Sequence, residues 1–334
     1  MLHRAALCAV LLSLTLLLAA GCQPKQPPEV TNQPTLGVQK PEYTVGVVPK
    51  GTAHIFWESV RAGAEAAGKE LGANIIWNGP AVETDIEGQK RILEDLLTRK
   101  VDALVVAACD ADALTGTLRD AQAKGIPVVT IDSGINDKEL PVTYVATDNV
   151  AGAERGGKEL AKLIGDQGKV GLMPFIQGAG SSDERQKGFE QEIARHPKIK
   201  IAITLFSQSD PEKGKAAAED MLTRFPDLDG IFAANEPGGT ATARLLEERG
   251  LAGKVKLVAF DASDPEIEGL RKGTIQALIV QNPFRMGHDG VTATIKHLKG
   301  ETVPPRIDTG VTVVTKDNID DPEVQKILHP PGLK

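Results

Sequence analysis

From Tyr43 onward, short runs of apolar and β-branched residues alternate with longer stretches in which apolar positions recur every three or four residues. The runs read YTVGVVP, ANIIWN, VDALVVAA, PVVTID, VTYVATD, KVGLMPF, KIAITLF, GIFAAN, VKLVAFD and IQALIVQ, and stretches such as ETDIEGQKRILEDLLTRK and DPEKGKAAAEDMLTRF lie between them. Near-continuous apolar strands separated by amphipathic helices predict strands buried on both faces, hence parallel sheets in a doubly wound α/β architecture. Ten such strands exceed one comfortable sheet. Two sheets of about five or six strands are the natural division, and a divide near Thr147 gives two halves that each open with βα units.

The strands end on polar residues: Asn78, Asp132, Asp148, Asn235, Asp261 and Gln281. In open α/β sheets, ligands bind beyond the carboxyl ends of the strands, where helix N-termini also point their free N–H groups. Helix capping is the competing explanation for Asp and Asn at such places. It accounts well for Asp148, and in DASDPE it offers Asp264 as a better cap than Asp261. It does not suit Asp132, which opens the loop-like DSGINDKELP, or Gln281, a poor cap.

The stretch PKGTAHIFWESVRAG, from Pro49 to Gly63, places Phe56 and Trp57 side by side in a chain with only 4% aromatic residues. Trp57, Val60, Ala64, Ala67 and Leu71 form one apolar stripe, so Trp57 reads either as the first buried member of that face or as a ligand contact. His54 and Phe56 lie off the stripe. A sugar ring has apolar C–H faces and hydroxyl edges, so it is matched by aromatics flanked with Asp, Asn, Gln and Arg.

Composition narrows the classes. With 334 residues, 41% hydrophobic and 25% charged, the chain has material for two cored domains. Its net charge of −7 and lack of a basic run exclude nucleic acid as a partner. The opening MLHRAALCAVLLSLTLLLAAGC has a basic start, an apolar run and small residues before Cys22, the pattern of a signal peptide over 1–21. LAAGC resembles a bacterial lipoprotein box, with Cys22 as the lipidated residue and the Pro- and Gln-rich 22–42 as a tether. Loss of Cys8 with the signal then leaves Cys109 as a lone, buried thiol, so no intramolecular disulfide is expected.

From about Tyr43 to Thr315 the sequence resembles the ribose-binding-protein-like periplasmic solute-binding proteins, the receptor components of bacterial sugar ABC transporters. The resemblance rests on the opening motif and on GIPVVTIDS, VATDNVAGAERGGKELAKLI, ERQKGFEQEI, FPDLDGIFAANE, LVAFDAS and ALIVQNPFRMG, in that order. It implies two Rossmann-like lobes joined by three crossovers near Thr147, Gln281 and Thr309. The lobes would be 43–147 plus 282–309 and 148–281 plus 310–334, with VTVV returning to the second lobe as a last strand.

By the same resemblance the ligand site falls on His54, Phe56, Trp57, Asp132, Arg185, Asn235, Asp261 and Gln281. Ser133 stands where ribose binders carry Arg, and Ser209 replaces an aromatic. Both are smaller groups, which points to a bulkier sugar, a substituted one or a polyol. The implied protein is a monomeric, exported, membrane-anchored receptor that delivers a sugar or polyol to an ABC permease, with no cofactor or metal. A sugar or autoinducer sensor shares the export and the fold. An enzyme fits less well. GAGSSDE lacks the third Gly of a dinucleotide fingerprint, no Gly-x-Ser-x-Gly elbow occurs, and His54 with Glu58 supplies only two metal ligands. Arg185 is expected to keep Asp132 and Asp261 both ionised, against glycosidase chemistry.

Overall fold

The computed structural model describes residues 41–329. The signal peptide, Cys22 and the tether up to residue 40 lie outside the described residues, as do residues 330–334. In chain order the first series of elements is β1 (Tyr43–Val48), α1 (Ile55–Leu71), β2 (Ala73–Trp77), α2 (Ile86–Thr98), β3 (Ala103–Val106), α3 (Thr115–Ala123), β4 (Val128–Ile131) and β5 (Tyr144–Ala146). A second series follows: α4 (Asn149–Leu163), β6 (Gly168–Met173), α5 (Gly180–Ile193), β7 (Ile199–Thr204), α6 (Pro211–Arg224), β8 (Gly230–Ala233), α7 (Glu236–Glu248), β9 (Lys256–Phe260), α8 (Asp264–Lys272) and β10 (Ala277–Gln281). The chain closes with α9 (Pro283–Leu298), β11 (Arg306–Asp308), β12 (Val311–Val314) and α10 (Pro322–Leu328).

Each of the ten apolar runs is a strand, β1 to β10. They form two six-stranded sheets with orders β11-β5-β4-β3-β1-β2 and β12-β10-β9-β8-β6-β7. The pairings are parallel except that of β12, which runs antiparallel to β10. Alternation along the strands feeds a core on each face of the first sheet. Leu104, Val106 and Val128 pack with Leu93, Leu96 and Leu118 on one side, and Val105, Val129 and Ile131 pack with Trp57, Val60 and Ala64 on the other. The edge strand β11 reads only RID and is largely exposed, so no apolar pattern announces it.

Two close helix pairs set the walls of the space between the sheets. A Cβ at Gly63 of α1 would lie 1.9 Å from the Phe284 carbonyl oxygen of α9, and one at Gly287 of α9 would lie 1.9 Å from the Val60 carbonyl oxygen. Backbones this near fix the N-terminus of α1, and with it His54, Phe56 and Trp57. The pair α4 and α5 does the same for Arg185, because a Cβ at Gly188 would lie 2.2 Å from the Val150 carbonyl oxygen.

These contacts give a prediction with opposite signs. Gly63→Ala and Gly287→Ala should each destabilise the protein by about 1–3 kcal/mol through overpacking against backbone. Gly116→Ala, in a helix with nothing within 4 Å, should instead be neutral or stabilising by up to about 1 kcal/mol. Urea unfolding of the three variants is the check, and equal effects would contradict the close packing.

Candidate ligand-binding site

The turn after β1 carries Lys50 into the space between the sheets. Buried Gln89 of α2 holds that turn by donating to the carbonyls of Pro49 (2.9 Å) and Ala107 (2.8 Å) and accepting from the Cys109 amide (2.9 Å). The Cys109 thiol, pushed up to about 12 by burial, points at the Lys50 carbonyl at 3.3 Å. It is a packed, unreactive cysteine. Lys50 itself is only 3% exposed. Its Nζ lies 3.1 Å from Asp132 Oδ2 and 3.9 Å from Glu83 Oε2, and donates to Ser181 Oγ at 3.1 Å. The ammonium also sits 4.9 Å from the Phe175 ring centroid and 5.8 Å from that of Trp57.

Burial works against both charges of this pair, and the partners outweigh it. Asp132 and Glu83 hold the Lys50 pKa above its usual value. Lys50, His54 and hydrogen bonds from Trp57 and Ser209 hold the Glu83 carboxyl below its usual range. The Trp57 indole N–H donates to Glu83 Oε1 at 2.8 Å, and Ser209 Oγ donates to Oε2 at 2.9 Å. Trp57 is 1% exposed in the core, as the apolar stripe predicts, and it also lines the cavity. Phe56 meets it edge-on at 5.0 Å.

The second sheet supplies the opposite wall. Arg185 of α5 donates through Nε to Asn149 Oδ1 at 2.9 Å and through Nη1 to the Ala234 carbonyl at 2.6 Å, with its guanidinium 4.0 Å from the Phe260 ring centroid. Asn235 lies two residues past β8, caps α7 by accepting from the Gly238 amide at 3.4 Å, and donates to Ser209 Oγ at 2.7 Å. Asp261 accepts from Gln281 Nε2 at 2.6 Å and from the Glu236 amide at 3.1 Å. Asp132 and Asp261 have φ of 55° and 78°. The left-handed backbone at two non-glycine residues costs energy that the surrounding contacts must hold in place.

His54, Phe56, Trp57, Asp132, Arg185, Asn235, Asp261 and Gln281 all line one cavity, joined by Lys50, Glu83, Phe175, Glu236 and Pro237. Ser133 does not line it. Fully buried, it turns its Oγ to accept from the Ser181 amide at 3.3 Å. The room expected beside the small Ser209 is taken by Glu83, and Ser133 packs on Ser181, which Lys50 meets in turn. Polar residues past the ends of β1 and β2 carried the available signal for those two. Arg185 is also not the shared counter-ion of both aspartates, because Lys50 serves Asp132. Burial raises the Asp261 pKa against the pull of Arg185. Two capping assignments resolve: Asp148 caps α4, whereas Ser263 rather than Asp264 caps α8, in a capping box with Glu266.

The two walls touch directly. Lys50 to Ser181, Ser181 to Ser133, Ser209 to Glu83, and the Ala111 amide to the Gly178 carbonyl at 2.9 Å all cross from one sheet's elements to the other's. The cavity measures about 30 Å³, on a scale where one water needs about 10–15 Å³. A ring of any kind enters only when the walls part. The chemistry on offer is hydrogen bonding to hydroxyls and stacking on aromatic faces. Among the described residues no group of three or more His, Cys, Asp and Glu could hold a metal ion.

Comparison with known proteins places the sequence and the fold. The sequence model of a family described as a periplasmic binding protein domain matches residues 45–302. The ribose import binding protein of Escherichia coli (strain K12) is 30% identical over 277 residues, covering 82% of this chain and 90% of that protein. Two solved ABC transporter solute-binding proteins from Agrobacterium vitis superpose with a TM-score of 0.83. The one with bound D-fucose is 37% identical and covered in full, over 86% of this chain. The other, bound with alpha-D-tagatopyranose, is 34% identical, with 86% of this chain and 99% of that one covered.

The acidic side of the cavity makes stability depend on pH. Glu266 is fully buried and accepts from the Ser263 amide and hydroxyl through Oε2, while its Oε1 has no partner. Burial first, then the negative charge of Glu236 and Asp261, raise its pKa well above 4.5. Burial also raises Glu236 and Asp261. A carboxyl whose folded pKa exceeds its unfolded one binds its proton more tightly when folded. Its contribution is fully present below about pH 4.5 and is lost as pH rises through the folded value. Glu266→Gln, a permanently neutral mimic, should therefore lose less melting temperature than the wild type between about pH 5 and pH 8. Identical pH profiles in thermal unfolding would contradict a neutral Glu266.

Proposed function

This chain belongs to the periplasmic binding protein family, and on that premise we propose that it captures a neutral sugar or polyol of monosaccharide size between two lobes and delivers it to an ABC permease. The observation that carries the reading is the convergence of both sheets' carboxyl ends on one cavity with carboxylates, two amides, a guanidinium and aromatic faces. Lys50 pairs with both Asp132 and Glu83, and Arg185 brings a second positive charge to the same cavity, so no unpaired cation there calls for an anionic ligand. Hydroxyls both donate and accept, which suits Asp261 and Gln281 as acceptors and Arg185 as donor. The bound sugars of the Agrobacterium vitis relatives support the same class.

Closure about the crossovers between the sheets would bury the ligand. The lobes are 43–147 plus 282–309 and 148–281 plus 310–334, a division supported by β11 pairing with β5 and β12 with β10. At the crossover the Thr147 hydroxyl donates to the Gly310 carbonyl at 3.2 Å, and the Thr309 amide to the Ala146 carbonyl at 3.2 Å. Those short links suit a hinge. The protein acts by binding and release, as a monomer with no cofactor. It works outside the cytoplasm, held at the membrane by lipid on Cys22. No described helix is long and apolar enough to cross a membrane.

A thermal-shift screen over pentoses, hexoses and polyols identifies the ligand, since a concentration about 100 times its Kd adds roughly 2.7 kcal/mol. Calorimetry then tests Asp261. A charge-assisted hydrogen bond is worth roughly 1.5–3 kcal/mol, so Asp261→Asn should weaken binding by about 10- to 150-fold while the melting curve without sugar stays cooperative. Near-wild-type affinity would remove Asp261 from the site.

A further inference from the structure

Beside the small inner cavity lies a second one of about 660 Å³, more than enough for a small organic group, and the two share His54, Phe56, Glu236, Asp261 and Gln281 as common walls. Away from those shared residues the second cavity is mostly apolar, with Ile55, Ala262, Val280, Pro283 and Leu328 among its walls. Ile55 is 53% exposed, unusual for a large aliphatic side chain among the described residues, and it stands on this wall.

Two polar atoms mark the site as built for contact. Ser59 Oγ and Gln281 Oε1 are buried, belong to residues each 3% exposed, and have no hydrogen-bond partner, yet both residues line the second cavity. A buried polar atom without a partner is costly, and a ligand group that reaches it removes the cost. Glu236, Asp261 and Asp264 on the same walls disfavour an anionic occupant.

Resting on the sugar-binding reading above, we infer that the second cavity is a subsite for a neutral, mainly apolar substituent on the sugar, so that the natural ligand is a glycoside rather than a free monosaccharide. The ring is held in the inner cavity by Asp261, Gln281 and Arg185. Its aglycone passes Phe56 and Gln281 into the outer one and packs on Ile55 and Ala262.

The test is calorimetric titration of the protein with D-ribose, D-arabinose, D-allose, D-fucose, D-galactose and D-glucose, each beside its phenyl glycoside. Burial of an aryl group on these walls should make at least one glycoside bind about tenfold or more tightly than its parent sugar. Ile55→Asp and Ala262→Leu, each checked for cooperative melting, should remove that gain and leave the parent sugar's Kd unchanged. A parent sugar that binds as well as or better than every glycoside overturns the subsite and leaves the sugar-binding reading standing. A gain that survives in both variants places the substituent elsewhere and also overturns it. No binding by any sugar or glycoside overturns the reading beneath it as well.

Discussion

Burying the ammonium of Lys50 between two sheets is the constraint on which the cleft depends. An unpaired charge in such a place costs several kcal/mol, so each partner must arrive with its hydrogen bonds already arranged. Asp132 and Glu83 come from the lobe of Lys50 itself, whereas Ser181 comes across the gap. Glu83 in turn needs Trp57 from its own lobe and Ser209 from the other, and Ser209 needs Asn235. Neither lobe alone satisfies the set. The contact between the two walls is therefore written into polar side chains drawn from both of them.

Rigid backbone around that network keeps it in register. Gly63 against α9 and Gly188 against α4 bring helices together at a distance no side chain would permit. They fix the starts of the walls that carry Phe56 and Arg185. The left-handed backbone at Asp132 and Asp261 turns two carboxyls inward from strand ends where an extended residue would point elsewhere. Strain of this kind persists only where neighbours over-determine it. Gln281 and the Glu236 amide do so for Asp261.

Much of this was legible in the sequence, for a physical reason. Strands buried on both faces must be apolar throughout, so β1 to β10 stand out as runs; β11, an exposed edge of three residues, has no such obligation. Asp132, Asn235, Asp261 and Gln281 were visible as polar residues closing apolar runs, and the structure gathers them around one cavity. Lys50 and Glu83 were not singled out, because a lysine and a glutamate in loops look solvated until the fold encloses them. The resemblance puts Ser133 at the site, in the place where ribose binders carry Arg, but side chains of adjacent residues point to different sides, and Ser133 serves Ser181 instead. Capping by Ser263 rather than Asp264 turned on one residue of register.

The central claim is that a sugar ring sits where the two sheets converge and that the residues of both lobes hold it there. A crystal structure of the protein grown with the sugar or glycoside that binds it most tightly tests this most directly. The account predicts a ring in contact with Phe56 or Phe175, hydrogen-bonded to Asp261 and Arg185 and enclosed by both lobes. A sugar bound on the outer surface, touching neither Asp261 nor Arg185, would contradict it.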